Sequence, residues 1–168
     1  MHRVGIGFDA HRFAQHRKLI LGGVLIRTKD GLMGHSDADV LLHALADAML
    51  GAAGLGDIGL HFPDSDPTWE NAPSPVFIGK ILGMLKRKHF RVVNADLTII
   101  AEVPKIQPYR DKIRKSVAAI VKIPEDRINL KATTTDSMGF IGRKEGIAAQ
   151  AIVLLERKPQ RQKDTKKK

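Results

Sequence analysis

Asp9-Ala10-His11 sets a carboxylate and an imidazole two residues apart. In extended backbone such residues face the same side, so both groups would point into one space. His43 offers a third donor from the middle of a helical stretch. Two nitrogens and one oxygen suit a catalytic zinc whose fourth position is left for a substrate oxygen. The same donors also describe non-haem iron, so ligand type leaves the metal open. Asp39 and Asp47 lie four residues either side of His43, and either could orient its ring. A second group, His35-Ser36, stands where that helix begins. Free N–H groups and the helix dipole favour an anion there, although Ser36 reads equally well as a plain cap. A third group is Asp57-Ile58-Gly59 with Phe62-Pro63-Asp64-Ser65-Asp66. Its carboxylates could receive ribose hydroxyls, or form no more than an acidic loop. The fourth is Ala132-Thr133-Thr134-Thr135-Asp136, followed by Gly139-Phe140-Ile141-Gly142-Arg143. Threonines at a strand end offer donors to phosphate oxygens, and Asp136 suits magnesium beside them; a threonine run is also simply good strand sequence.

These residues need elements to position them. Residues 3–8 alternate as a short strand, and Gly22-Gly23 between two apolar runs signals a hairpin. Residues 36–54 predict a helix capped by Ser36, with Asp39 closing a capping box. Its apolar stripe is Leu41, Leu45, Ala48, Met49 and Ala52, and Gly54 and Gly56 end it. Residues 56–75, rich in proline and acid, read as a long loop, a length that usually has a functional reason. Helices are expected over 76–88 (Phe77, Ile81, Leu82 and Leu85 inward) and 107–122 (Ile113, Val117 and Ile120 inward). Strands are expected at 91–101, 129–132 and 146–156. The order predicts an α+β fold: one mixed β-sheet with helices packed on one face.

The chain has 168 residues, 43% of them hydrophobic, which suits one globular domain over residues 1–156. It contains no cysteine, which excludes disulfides, thiolate metal sites and a cysteine nucleophile. No apolar run is long enough to cross a bilayer, and MHRVGIGFDAH is too short and polar for a secretory signal, so a cytoplasmic enzyme is expected. The net charge is +10, of which +6 falls in residues 157–168. That basic stretch lacks apolar periodicity and reads as a solvated, disordered tail. A nucleic-acid-binding module would rest on this tail alone. Aromatics are 5% of the chain, and its single tryptophan sits in the acidic loop.

In order along the chain stand G-F-D-x-H, the Gly-Gly hairpin, G-H-S-D-x-D-V-x-x-H-A, G-D-I-G-x-x-F-P-D-x-D-P, A-x-x-P-K, K-A-T-T-T and G-F-x-G-R-x-E-G-I-A. Together they resemble the 2-C-methyl-D-erythritol 2,4-cyclodiphosphate synthases of the non-mevalonate isoprenoid pathway, over residues 3 to about 156. The resemblance implies a homotrimer of α/β sandwich subunits around a central axis, with active sites between neighbours. It implies a CMP-releasing phosphorus–oxygen lyase acting on 4-diphosphocytidyl-2-C-methyl-D-erythritol 2-phosphate. Asp9, His11 and His43 then match the zinc ligands, of which Asp9 and His11 also face the substrate. His35, beside Ser36, and Thr134 match the pair that stabilises the transition state. Asp57 and Gly59 match ribose contacts, and Phe62, Pro63, Asp64, Ser65 and Asp66 match a flap over the erythritol. Ala101, Pro104, Lys105, Ile106 and Gln107, with Ala132, match a cytosine pocket. Thr133, Thr134 and Thr135 match phosphate contacts, and Asp136 stands where the family often has a glutamate reaching magnesium or manganese.

Two departures accompany the resemblance. Asp136 is one methylene shorter than glutamate, so its magnesium contact could run through water. Gln150 replaces a glutamate that in some members pairs with the arginine matched by Arg143. In those members the pair lines an axial cavity for an isoprenoid diphosphate, near the residue matched by Phe8, and Arg143 is expected here without that partner; Phe140 and Arg143 are themselves candidate substrate contacts. A generic metal-dependent phosphohydrolase using Asp9, His11 and His43 is the alternative enzyme reading.

Overall fold

In RVGIGF, Val4, Ile6 and Phe8 share one face of a strand and Gly5 and Gly7 the other. The glycine face is where the main helix lies. A Cβ built on Gly7 would stand 1.9 Å from the Ala44 carbonyl oxygen, and one on Gly5 2.0 Å from that of Ala48. The helix meets these glycines with small residues, and Ala44, Ala48 and Ala52 are buried. Backbone therefore packs almost directly on backbone.

The computed structural model describes residues 1–157. Its strands and helices are β1 (His2–Ala14), β2 (Leu19–Leu21), β3 (Val24–Ile26), β4 (Gly31–Leu32), α1 (Val40–Ala53), α2 (Ile58–His61), α3 (Ser74–Arg87), β5 (Phe90–Ile100), α4 (Arg110–Val121), β6 (Ile128–Thr133), α5 (Gly139–Gly142) and β7 (Gly146–Arg157). Five strands form one sheet in the order β4-β1-β7-β5-β6; β2 and β3 pair as a separate hairpin. β5 and β6 run parallel and the other pairs antiparallel, so the sheet is mixed as expected. The expectation of a disordered end beyond Arg157 falls on residues outside those described.

Several boundaries differ from the sequence reading. β1 runs on to Ala14, which is what carries Asp9 and His11 in extended backbone. The main helix starts at Val40 with Asp39, not Ser36, as its cap. The cause is local: Ala38 sits at φ 56°, a left-handed conformation that no helix can pass through. Asp39 Oδ1 accepts from the backbone N–H of Leu42 (3.1 Å) and of Gly22 (2.9 Å), and Oδ2 from Gly23 (2.6 Å). Gly22 and Gly23 both have positive φ, as a two-residue hairpin turn requires. One carboxylate thus caps α1 and pins the hairpin turn to it. Burial pushes this carboxyl up to about 6, even against its backbone hydrogen bonds.

α1 is buried beyond the expected stripe, with Leu42 and Leu50 inside as well, because α3 and the β2–β3 hairpin also pack on it. The long loop contains α2 and a short helical turn at Pro67–Trp69, and α3 begins at Ser74, two residues early. β5 carries a bulge between Val92 and Asn94. Its buried residues are Phe90 and Val92 before the bulge and Ala95, Leu97 and Ile99 after it. The opposite face of the sheet has no helix over β1: Val4 is 68%, Ile6 62%, Phe8 56% and Ile152 44% exposed.

Candidate active site

The close β1–α1 packing sets His43 over Asp9 and His11. Asp9 Oδ2 lies 2.8 Å from His11 Nε2 and 3.1 Å from His43 Nδ1, and the two nitrogens are 3.2 Å apart. A tetrahedral zinc with bonds of about 2.0–2.2 Å has its ligand atoms roughly 3.3–3.6 Å apart. The observed triangle is slightly tighter and needs only a few tenths of an ångström of spreading. His11 Nδ1 donates to the Met33 carbonyl at 2.6 Å, so Nε2 is the nitrogen that would face a metal. The donor set and its geometry therefore fit a divalent metal. Burial alone would raise the Asp9 carboxyl, but hydrogen bonds and positive charge from His11 and His43 hold it far below the usual range. Burial lowers His11, and the Asp9 carboxylate more than reverses this, so its net shift is upward.

Neither acid proposed to orient His43 does so. Asp39 is spent on the cap and hairpin. Asp47 accepts from the Ile58 N–H at 2.7 Å and so ties α2 to α1. The ring's Nε2 instead meets two hydroxyls, Ser36 Oγ and Ser74 Oγ, each at 3.1 Å. Ser36 is therefore a partner of the imidazole rather than a helix cap. Ser74 had no signal in the sequence beyond its place ahead of Pro75, since 31 residues separate it from His43.

A cleft of about 400 Å³ opens over these donors. Asp9, His11, His35, Ser36, His43, Gly59, Pro63 and Asp64 line it, joined by Asp47 and by Trp69 and Phe77, which the sequence had not marked as site residues. His35 Nε2 reaches the Asp66 carbonyl at 3.4 Å. Asp57 is less available than expected, because its Oδ1 caps α2 through the Leu60 N–H at 2.9 Å. Phe62 lines the cleft but is buried, its ring 4.9 Å from Phe77 and 5.1 Å from Trp69, so it anchors the loop rather than moving with it. Ser65 and Asp66 do not line the cleft. Asp66 caps the Pro67–Trp69 turn through Thr68.

The remaining candidates form a second group. Ile106, Gln107 and Ala132 line a separate cavity of about 200 Å³ with Arg110, Leu130 and Lys131. Nearby, Ala101 donates to the Thr133 carbonyl, and Glu102 Oε1 accepts from the N–H groups of Thr135 and Ser137 at 3.1 Å each. Thr133, Thr134 and Asp136 are exposed, and Thr135 is half-buried. Pro104 is half-buried and Lys105 exposed, and neither lines the 200 Å³ cavity. Register shows how far apart the groups stand. Asp9 pairs with Ala149, Ala149 with Ile99, and Ile99 with Ala132. Asp9 and Ala132 thus share one transverse row, three strand spacings or about 14 Å apart. Within one chain, Thr134 and the Asp9–His11–His43 centre cannot hold the same phosphate. Phe140 and Arg143 lie in neither cavity; with glutamine at position 150, Arg143 Nε donates instead to Glu145 at 2.7 Å.

The YgbB family model matches residues 2–156. A Bacillus cereus protein named 2-C-methyl-D-erythritol 2,4-cyclodiphosphate synthase is 51% identical over 158 residues, covering 94% of this chain and 100% of that one. A solved synthase of the same name, in its CDP-bound form, superimposes with a TM-score of 0.84 at 38% identity, covering 92% of this chain and all of that one. The bifunctional IspDF of Campylobacter jejuni matches with a TM-score of 0.89 at 42% identity; 94% of this chain covers 43% of that larger protein.

Proposed function

The chain belongs to the YgbB family, and from that premise we propose that it converts 4-diphosphocytidyl-2-C-methyl-D-erythritol 2-phosphate to 2-C-methyl-D-erythritol 2,4-cyclodiphosphate with release of CMP. The observation that carries this reading is the Asp9–His11–His43 triangle at the base of a cleft, in a chain 51% identical to a relative bearing that synthase's name.

Asp9, His11 and His43 would hold a divalent metal, zinc by the family resemblance, since the donors alone suit iron as well. Bound there, it would supply positive charge for diphosphate oxygens. The remaining work falls to positioning, because the nucleophile is already a phosphate and needs little general-base help. The 2-phosphate oxygen attacks the β-phosphorus, the bond from that phosphorus to the bridging oxygen breaks, and CMP leaves with the oxygen. His35 and Thr134 donate to oxygens whose charge grows in this step. Asp57 and Gly59 receive the ribose, and Pro63 and Asp64 face the erythritol, with Ser65 and Asp66 carrying the loop behind them. Ala101 and Pro104 to Gln107, with Ala132, take the cytosine, and Asp136 holds magnesium or manganese beside the phosphates.

Residues 1–156 form the catalytic domain in this reading, and the working unit is a cytoplasmic homotrimer with each site shared between two subunits. Two features support the shared site: the separation of about 14 Å between the two groups, and the exposed apolar strip Val4, Ile6, Phe8 and Ile152. Such a strip on an open sheet face marks a contact surface. Among the described residues no helix is long and apolar enough to cross a membrane.

Phosphorus NMR of the product formed with zinc and magnesium tests the reaction. Two coupled phosphorus signals in one ring, with stoichiometric CMP, are expected. Inorganic phosphate as the product would instead establish a phosphohydrolase.

A further inference from the structure

We propose that Ser74, held by Asp37, is a positioning residue that fixes which nitrogen of His43 faces the metal. The inference rests on the metal reading of the Asp9–His11–His43 centre. It starts from proton counting. A serine hydroxyl has one proton to give, and an ionised carboxylate can only accept. Ser74 Oγ donates to Asp37 Oδ1 in a very short contact, and the Ser74 backbone N–H donates to Asp37 Oδ2 at 2.9 Å. The carboxylate thus straddles residue 74 and takes its only hydroxyl proton. The same Oγ lies 3.1 Å from His43 Nε2, so it can meet that nitrogen only as an acceptor. Nε2 must therefore carry the proton. Nδ1, 3.1 Å from Asp9 Oδ2 and 3.2 Å from His11 Nε2, is then the nitrogen left to give its lone pair to a bound metal, and it donates to Asp9 in the metal's absence.

Ser36 does not decide the matter. Its Oγ accepts from the Ala38 N–H at 3.2 Å and also sits 3.1 Å from His43 Nε2. Among the described hydrogen bonds its own proton goes to no other acceptor, so it could give or receive. Asp37 supplies the direction through Ser74. Ser74 is 1% exposed, so bulk water does not replace its hydroxyl. The same segment is stitched to the loop before α3, with Asn71 N–H donating to the His35 carbonyl at 2.8 Å and Asp37 N–H to that of Ala72 at 3.2 Å. The base of the loop and the metal ligand are thereby set by one carboxylate.

The test measures zinc affinity by chelator competition, together with the imidazole N–H resonances of the zinc-loaded protein. Ser74→Ala should bind zinc roughly 10–100-fold more weakly, the usual cost of losing a hydrogen-bond partner behind a metal ligand. Asp37→Ala keeps the hydroxyl but frees its proton to point at the ring, and should lose affinity by a similar factor. The double variant should be about as weak as Ser74→Ala alone, because Asp37 acts through Ser74. Ser74→Thr should stay within about threefold of the wild type. The His43 Nε2–H signal should be sharp in the wild type and in Ser74→Thr, and should broaden by exchange with water in Ser74→Ala. Affinity in Ser74→Ala within twofold of wild type, or full additivity in the double variant, overturns the proposal. If the wild type binds no zinc, the metal reading itself falls and the lock with it. Where circular dichroism shows Ser74→Ala unfolded, Asp37→Ala and Ser74→Thr decide.

Discussion

Gly7→Ala should break the metal centre without touching a ligand. The added Cβ would lie 1.9 Å from the Ala44 carbonyl oxygen and 2.7 Å from the Ala48 nitrogen, both backbone atoms of α1. An ordinary contact needs roughly 3.5 Å, so the shortfall is about 1.5 Å. No side-chain rotation relieves a clash with backbone, so α1 must move off β1. Forcing an extra carbon into a packed core costs about 1–3 kcal/mol and sometimes more, and this site belongs at or above the top of that range. His43 sits beside Ala44 and moves with it. Metal–ligand distances hold within about 0.2 Å, so a shift of roughly 1 Å in α1 separates Nδ1 from Asp9 and His11. Urea unfolding should show a loss of at least about 3 kcal/mol, and chelator competition a zinc affinity at least roughly 100-fold weaker. Gly79→Ala is the control: its Cβ meets nothing within 4 Å, and in the interior of α3 it should stabilise by about 0.5–1 kcal/mol. Gly7→Ala with stability within about 1 kcal/mol of wild type and unchanged zinc affinity would refute the backbone-on-backbone account.

Three further outcomes are expected. The Asp39 carboxyl is raised from 3.8 to about 6 by burial, so the folded state keeps a proton that the unfolded chain has released. Its stabilising contribution is therefore full below about pH 4 and lost as pH rises through 6. The stability of wild type relative to Asp39→Asn should fall by up to roughly 3 kcal/mol across that interval, and a difference that is flat with pH would contradict it. His43→Ala and the Thr134→Ala, Asp136→Ala double variant should each be inactive as homotrimers. Refolded together in equal amounts they should recover roughly a quarter of wild-type activity, because random assembly completes about one site in four; no recovery in proven mixed trimers would put both halves in one chain. Deleting residues 159–168, which lie outside the span matched by the family, should leave turnover within about twofold, and a tenfold loss would assign that basic stretch a role.

What was legible in the sequence was what repeats or recurs locally. Asp9 and His11 could be placed together because strand alternation puts residues two apart on one side, and β1 is extended through both. The Gly22–Gly23 turn and the Gly54 helix end were readable because each needs positive φ, and both have it. Contacts between distant segments were not readable. Ser74 meets His43 and Asp37 only because the loop after α2 folds back across the start of α1, and no short-range pattern encodes that return. The Ser36 cap failed for a related reason. The S-D-A-D segment contains several good capping residues, and the left-handed turn at Ala38, which selects Asp39, leaves no compositional mark. Phe62 was taken from its motif as part of a flap, whereas burial against Trp69 and Phe77 makes it the fixed point from which Pro63 and Asp64 project.

The bulge at Val92–Asn94 acts as a parity correction in the length of β5. Phe90 and Val92 are even-numbered, while Ala95, Leu97 and Ile99 are odd, yet all five are buried. The extra residue absorbs the half-step. Restoring regular pairing there with every residue kept would turn Asp96 and Thr98 inward for the rest of the strand, or else shift every partner along β6 and β7 by one place. The row that joins Asp9 to Ala132 would then end one residue out of step. Insertions and deletions in this strand should therefore be tolerated in twos, or singly only where a bulge is gained or lost with them. The spacing between the metal centre and the threonine edge is kept by that count rather than by any one side chain.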